Sequence, residues 1–139
     1  MKKIAIIGAG ISGLFFANLI KKNKSYSFKI FERKSSIDLN DGYGIQLSVN
    51  SIKLLNSIGF NKFNINQLYL PKKVNFLNAK DSNQICDIDL SRFNDESNHY
   101  TTLKRSNLIK FLLEGIPKDK LVFNYELNDI KQGNKASLF

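Results

Sequence analysis

The sequence predicts an α/β fold, and three observations near its N-terminus carry that prediction. The first is a short apolar run, Ile4 to Ile7, which is typical of a strand buried on both faces of a sheet. The second is a glycine-rich turn, Gly8 to Gly13, which leads directly into an apolar helical pattern. The third is another apolar run, Phe28 to Phe31, which ends at Glu32. A strand, a helix and a strand in this order predict a parallel βαβ unit.

The three glycines of the turn form a Gly-x-Gly-x-x-Gly motif, and each has its own role. Gly8 permits the tight turn after the strand, and Gly10 lets the backbone approach a pyrophosphate. Gly13 allows the helix to pack closely against the sheet. The first N–H groups of this helix, together with the positive end of its dipole, then favour a bound phosphate.

Glu32 follows Gly13 by 19 residues, close to the spacing of about 20 that is typical of dinucleotide sites. A carboxylate at this position accepts hydrogen bonds from the two hydroxyls of an adenosine ribose and repels the 2′-phosphate of NADP. The pattern therefore predicts a Rossmann-like dinucleotide-binding core for NAD or FAD, since both contain an adenosine diphosphate half. The alternative is a glycine-rich turn in some other α/β unit.

Composition is that of a single globular domain with a basic surface. The chain has 139 residues, of which 42% are hydrophobic, and a formal net charge of +9. The lysines are scattered and no nucleic-acid recognition motif is present, so we expect no nucleic-acid partner. Residues 4–20 carry no charge, but this stretch is shorter than the roughly 20 residues of a membrane span and contains three glycines, so we predict no transmembrane segment.

The single cysteine and the single histidine give no sign of a disulfide or a metal site. Cys86 has no partner for an internal disulfide, which fits a reducing compartment, and we expect a cytoplasmic protein with Cys86 as a small core residue. His99 lies in a polar stretch without apparent metal-binding partners.

Hydrophobic periodicity predicts two helices in the first half of the chain. The first runs from about Ser12 to Lys22 and packs small residues such as Ala17 on the sheet. An extended segment, Gly42 to Asn50, leads into the second helix. Asn50 or Ser51 is expected to cap this second helix, its buried face is Ile52, Leu55 and Ile58, and Gly59 ends it.

The second half of the chain is predicted to hold a β-hairpin, a helix and a further strand. Residues 74–90 read as the hairpin, with Cys86, Ile88 and Leu90 on the buried side of its second strand. An extended piece from Tyr100 to Lys104 precedes Arg105 and a helix capped by Ser106. The remaining expectations are a buried helix face of Ile109, Leu112, Leu113 and Ile116, a parallel strand from Leu121 to Tyr125, and a weaker sheet element around Leu127 to Ile130.

Three blocks of the sequence resemble the FAD-dependent aromatic-ring hydroxylases, a family of flavoprotein monooxygenases. The blocks are Ile6 to Leu14 with Phe31-Glu32-Arg33, Gly42 to Asn50 with Leu54-Leu55 and Ile58-Gly59-Phe60, and Leu103 to Leu108, which is similar to the family's Arg-x-x-Leu. The second block is the most diagnostic, because ordinary NAD domains lack it. In this family NAD(P)H reduces FAD, and the reduced flavin uses O2 to hydroxylate an aromatic or similar small molecule.

The resemblance implies a set of cofactor-binding residues and no catalytic acid or base. The set is Gly8, Ala9, Gly10, Ser12, Gly13, Glu32, Arg33, Gly44, Ile45 and Arg105. The turn would hold the pyrophosphate, Glu32 the ribose, and Arg105 the flavin side of FAD. Gly44 and Ile45 would lie near the cofactor. Arg33 would either flank the adenine or remain solvated.

One departure from the family concerns the extent of the chain. The later Gly-Asp motif of the family and the sheet domain that covers its substrate have no counterpart here. We therefore expect residues 1–139 to be the N-terminal part of an FAD-binding domain, inactive alone. The alternatives are a non-catalytic nucleotide-binding module and a related flavoprotein, such as a halogenase or an isoprenoid reductase.

Overall fold

The computed structural model describes residues 1–39, 43–131 and 137–138. Contacts divide the chain into two compact units, Met1–Asp41 with Leu108–Phe139, and Gly42–Asn107. The elements follow in the order β1 (Lys2–Ile7), α1 (Ile11–Ile20), β2 (Tyr26–Glu32), β3 (Gly44–Leu47), α2 (Val49–Asn56), β4 (Lys73–Leu77), β5 (Gln84–Asp89), β6 (Thr101–Lys104), α3 (Arg105–Glu114), β7 (Leu121–Phe123), β8 (Ile130–Lys131) and β9 (Ser137–Leu138). The predicted α/β class is confirmed.

The first unit is built on a three-stranded parallel sheet in the order β1-β2-β7. Register pairs Ile6 with Ile30 across β1 and β2, and Ile30 with Leu121 across β2 and β7. The predicted βαβ unit and the predicted parallel strand near Leu121 are both confirmed. In the sequence, the whole second unit lies between β2 and β7. These two strands are therefore neighbours in the sheet although they are far apart along the chain.

Only one face of this sheet is deeply buried, so the expectation that Ile4 to Ile7 is buried on both faces is wrong. Ile6 is 7% exposed, whereas Ile7 is 47% exposed on the opposite face. The reason is the pleat of the strand combined with helix cover on one side, where Leu14 and Ala17 of α1 are fully buried. The opposite face opens into a wide concave surface bordered by Lys120 and Ile130.

Polar side chains connect helices α1 and α3 within the first unit, a feature that the sequence did not predict. Asn18 is buried, and its amide Nδ2 donates to the backbone carbonyls of Leu14 at 2.9 Å and Leu112 at 2.8 Å. The ammonium of Lys21 donates to Asn18 Oδ1 and to the Gly115 carbonyl, both at 2.8 Å. Because Gly115 directly follows α3, Lys21 satisfies a carbonyl at the C-terminal end of that helix.

The second unit contains an antiparallel ribbon of β3 and β6, with α2 following β3. The cap of α2 is Ser48, whose Oγ accepts a hydrogen bond from the Ser51 N–H at 3.4 Å, so the predicted caps Asn50 and Ser51 are wrong by a few residues. The cap falls earlier because β3 ends at Leu47 and the chain turns at once. Helix α2 ends at Asn56 with Ser57 as its C-cap, three residues before the predicted Gly59, which has a φ of +101° and precedes the short 3-10 turn Phe60–Lys62.

The predicted hairpin is present as β4 and β5, but it is not half-buried. All residues of β5 are exposed, including Cys86 and Ile88, and only Leu90 beyond its end is buried. Cys86 is therefore not a core residue. The alternating pattern did identify the strand, but no other described part of the unit lies over its apolar side.

Helix boundaries elsewhere differ slightly from the predictions. Helix α1 begins at Ile11 and ends at Ile20, and α3 already includes Arg105, so Ser106 lies inside α3 and is not its cap. The buried face of α3 is Leu108, Ile109 and Leu112, with Ile116 buried just beyond it. None of the helices in the described ranges is long and apolar enough to cross a membrane.

Candidate functional site

The glycine turn has the geometry that its sequence predicts. Gly8 has a φ of +93°, a conformation that residues with a side chain rarely adopt. Its N–H donates to the Phe31 carbonyl at 2.8 Å, which fixes the start of the turn on β2. A Cβ atom at Gly13 would collide with the Gly8 carbonyl oxygen and would lie 3.3 Å from Ile6 Cγ2. Gly13 therefore brings α1 close to the sheet, as predicted.

Gly10 differs from Gly13 because space around it is open. A Cβ built at Gly10 meets no atom within 4 Å. The residue is the N-cap of α1, and the first bond of the helix runs from the Leu14 N–H to the Gly10 carbonyl at 3.0 Å. The N–H groups from Gly10 to Gly13 have no acceptor among the residues that the structure describes. Open space beside free donors is the arrangement that an anionic group requires.

The carboxylate of Glu32 reaches the glycine turn directly. Its Oε2 accepts a hydrogen bond from the Ala9 N–H at 2.8 Å, and its Oε1 accepts one from the Lys34 N–H at 3.0 Å. Partial burial raises the pKa of Glu32, but hydrogen bonds from the backbone of Lys34 and Ala9, with the charges of Lys34 and Arg33, outweigh it. The pKa of Glu32 is therefore below its ordinary value, and the side chain is an anion at neutral pH.

Arg33, next to Glu32 in sequence, also forms an ion pair with the segment after β7. Its guanidinium lies 3.8 Å from the Glu126 carboxylate, and both side chains are largely exposed. The Tyr125 N–H donates to the Glu32 carbonyl at 3.1 Å, and the Tyr125 ring lies 6.0 Å from the ring of Phe31. The segment after β7 thus lies alongside the end of β2. Glu32, the last residue of β2, contacts this segment through its backbone and the glycine turn through its side chain.

The other three predicted site residues lie together in the second unit. Gly44 pairs with Lys104 and Ile45 with Leu103 in the ribbon of β3 and β6. The Arg105 N–H donates to the Tyr43 carbonyl at 3.1 Å, which places Arg105 at the same end of the ribbon as Gly44. Gly42, the first residue of the diagnostic block, lies outside the described residues. The ribbon therefore brings together two predicted segments that are about 60 residues apart in the sequence.

The site residues thus form two groups, one in each unit. The first group is Gly8, Ala9, Gly10, Ser12, Gly13, Glu32 and Arg33, and the second is Gly44, Ile45 and Arg105. Sequence reasoning missed the contact between Glu32 and Ala9, and it missed Lys34 as a backbone partner of the carboxylate. The spacing of an acid after the glycine turn indicates that the acid is close, but not which atom it meets.

Sequence comparison finds two known relatives of the region that contains the glycine turn. A family model described as an NAD(P)-binding Rossmann-like domain matches residues 6–39, which include the glycine turn and Glu32. The monooxygenase asqM of Emericella nidulans is 29% identical over 136 residues, which cover 95% of this chain and 30% of that protein.

Solved structures extend the agreement from the turn to nearly the whole chain. HpxO of Klebsiella pneumoniae, solved with FAD and uric acid, matches 98% of this chain with a TM-score of 0.75 at 16% identity. A putative FAD-containing monooxygenase from Photorhabdus luminescens matches 100% with a TM-score of 0.75 at 20% identity. The chain therefore has the fold of a segment of these structures, and the predicted resemblance to flavoprotein monooxygenases is confirmed.

The chain is much shorter than these relatives. The chain spans 30% of the length of the Emericella protein, 36% of HpxO and 35% of the Photorhabdus structure. What those longer proteins do as wholes is not a property of this segment by itself. Its own residues supply the glycine turn, the acid at the end of β2 and the ribbon that holds Arg105.

Proposed function

We propose that this chain is the FAD-binding part of a flavin-dependent monooxygenase. The observation that carries the proposal is the glycine turn at the N-terminus of α1. The N–H groups at this end of the helix have no acceptor among the described residues, and the ionised Glu32 is hydrogen-bonded to Ala9 of the turn. This arrangement suits an adenosine diphosphate group, which has an anionic diphosphate and a ribose with two hydroxyls. The same proposal assigns residues 1–139 to part of an FAD-binding domain.

The residues that are present fit the adenosine half of FAD. A Cβ built at Gly10 meets no atom within 4 Å, so the backbone is open to a diphosphate at the N-terminus of α1, where the N–H donors lie. Both oxygens of Glu32 hold one backbone hydrogen bond each and retain capacity for hydroxyl donors. Gly44, Ile45 and Arg105 are proposed to contact the remainder of the cofactor, with Arg105 as a cationic donor.

The proposed reaction follows from the cofactor class. When bound, FAD supplies the redox chemistry, in which NAD(P)H is the reductant and O2 the oxidant for hydroxylation of an aromatic or similar small molecule. The residues of this chain bind and orient the adenosine diphosphate part, and none is assigned a proton-transfer step. A cytoplasmic location belongs to the same proposal.

A titration of the 139-residue chain with FAD and with NAD tests the proposal. Both ligands carry adenosine diphosphate, so binding of either would support the site, and a preference for FAD would support the flavoprotein assignment. We expect tighter binding of FAD, measured by quenching of flavin fluorescence and by calorimetry. Tighter binding of NAD without retained flavin would contradict the assignment.

A further inference from the structure

We propose that Glu32 is also a positioning residue for the glycine turn, so that one side chain governs both ribose recognition and the hold on the diphosphate. The inference rests on the proposed function and deepens it. It starts from the 2.8 Å hydrogen bond between the Ala9 N–H and Glu32 Oε2. Ala9 lies between the two glycines that shape the turn, so this bond acts on the turn itself.

The hydrogen-bond capacity of the carboxylate allows both roles at once. A carboxylate has about four acceptor sites on its two oxygens. The N–H groups of Ala9 and Lys34 take one site on each oxygen, so roughly one site on each oxygen remains. A pair of neighbouring hydroxyls matches two remaining acceptors side by side. Ribose binding therefore does not require Glu32 to release the turn.

The backbone of Glu32 is itself held from both sides, which makes it a firm support. Its carbonyl accepts from the Tyr125 N–H at 3.1 Å, and the Gly8 N–H bonds the neighbouring Phe31 carbonyl at 2.8 Å. The next residue but one, Lys34, accepts from the Asn124 N–H at 3.2 Å. The turn, the end of β2 and the segment after β7 thus form one connected set of hydrogen bonds around the carboxylate.

This connection predicts a specific defect when the carboxylate becomes an amide. A glutamine has one acceptor oxygen and one NH2 group, so it can accept from Ala9 or from Lys34 but not from both with equal geometry. Its NH2 group would face a backbone N–H, donor against donor. Either the hydrogen bond from the Ala9 N–H or the one from the Lys34 N–H is then lost, even when no ribose is present.

Two ligands separate the positioning role from simple ribose contact. The wild-type chain and Glu32→Gln are titrated with ADP and with 2′,3′-dideoxy-ADP, which has the diphosphate but no ribose hydroxyls. Glu126→Gln is the matched control, because it removes an exposed carboxylate near Arg33 that does not touch the turn. We expect Glu32→Gln to weaken dideoxy-ADP about tenfold, and ADP by more, on the scale of a lost charge-assisted hydrogen bond.

The outcomes distinguish this inference from the proposed function. Unchanged binding of dideoxy-ADP by Glu32→Gln, with weaker binding of ADP, overturns the positioning role and leaves the ribose contact in place. Failure of the wild-type chain to bind either nucleotide overturns both proposals. Equal losses in Glu126→Gln overturn the positioning role, because a general charge effect then explains the data.

A second measurement uses only the wild-type chain, in case Glu32→Gln does not fold. The Ala9 amide is followed by NMR as the pH is lowered without ligand. Lys34 and Arg33 are the charged side chains that act on Glu32. We expect the Ala9 amide to shift together with the Glu32 carboxyl, with a midpoint below the ordinary glutamate pKa. An Ala9 amide that does not respond overturns the inference.

Discussion

Gly10 and Gly13 stand three positions apart in one turn, yet the structure gives them opposite tolerances for a side chain. Gly10 faces open space in a backbone conformation that any residue adopts, with φ −79° and ψ −177°. Gly13 faces the Gly8 carbonyl oxygen, so an added methyl displaces backbone. A side chain at Gly10 therefore tests the proposed ligand site, whereas a side chain at Gly13 tests the packing of the fold.

Gly10→Val is predicted to abolish FAD binding while the fold is kept. The branched side chain occupies space beside the helix N–H groups, where we propose the diphosphate lies. Circular dichroism and thermal unfolding check the fold, and flavin fluorescence checks binding. Gly13→Ala is the matched control, expected to lose about 1–3 kcal/mol of unfolding free energy through overpacking. Flavin retained by Gly10→Val would mean that the turn has only a structural role.

Glu32 is predicted to make stability depend on acid pH. Its pKa in the folded chain is lowered, so its contribution to stability is fully present above the ordinary glutamate pKa of about 4.3 and is lost as the pH falls through the folded value. The difference in unfolding free energy between the wild-type chain and Glu32→Gln should therefore shrink toward lower pH. Denaturant titrations at several pH values measure it, and a difference that stays constant would contradict the assigned hydrogen bonds.

At the scale of elements, the contact between α1 and α3 depends on polar groups as well as on the apolar face of α3. Asn18→Ala is predicted to lower the unfolding free energy by about 1–3 kcal/mol, because it removes the donor to the Leu112 carbonyl and the acceptor for Lys21 in a buried setting. Asn50→Ala, on the exposed side of α2, is the matched control. Equal loss in both variants would show that the buried amide adds nothing specific.

The sequence predicted the helices and strands well where local periodicity decides them. The parallel βαβ unit follows from residues 4–32, and the buried positions Ile52 and Leu55 of α2 follow from their helical spacing. The hydrogen bond from Asn18 to the Leu112 carbonyl was not predicted, because the two residues are 94 positions apart and no local sequence pattern indicates such a contact. The burial of Cys86 and Ile88 was wrongly predicted. Alternation of apolar and polar residues identifies a strand with two different faces, but whether the apolar face is buried depends on packing against distant parts of the chain.

For the site, chemistry local to the turn was predictable and contacts across elements were not. The roles of Gly8 and Gly13 follow from residue type and position, and both agree with the structure. Arg105 and Gly44 lie at the same end of the ribbon because of the register between β3 and β6, and sequence spacing alone does not predict this register. Whether these residues bind the cofactor remains a prediction.

At the scale of the whole molecule, the extent of the chain limits the chemistry that we expect of it. It spans 30–38% of the longer proteins that it resembles, and one face of its sheet is open around Ile7. Hydroxylation by a reduced flavin requires exclusion of water from the reacting centre. We predict that the 139-residue chain alone does not hydroxylate aromatic acids, measured by NAD(P)H oxidation with products identified by mass. Coupled hydroxylation by the isolated chain would contradict this.

The most direct test of the central claim is to map FAD binding residue by residue with amide chemical shifts. The claim is that the diphosphate lies at the N–H groups from Gly10 to Gly13 and the ribose at Glu32. It predicts that FAD and ADP both perturb the amides of residues 8–13 and 32–34, and that Gly10→Val removes these shifts. Binding that leaves those amides unmoved, or shifts confined to the second unit, would contradict the account.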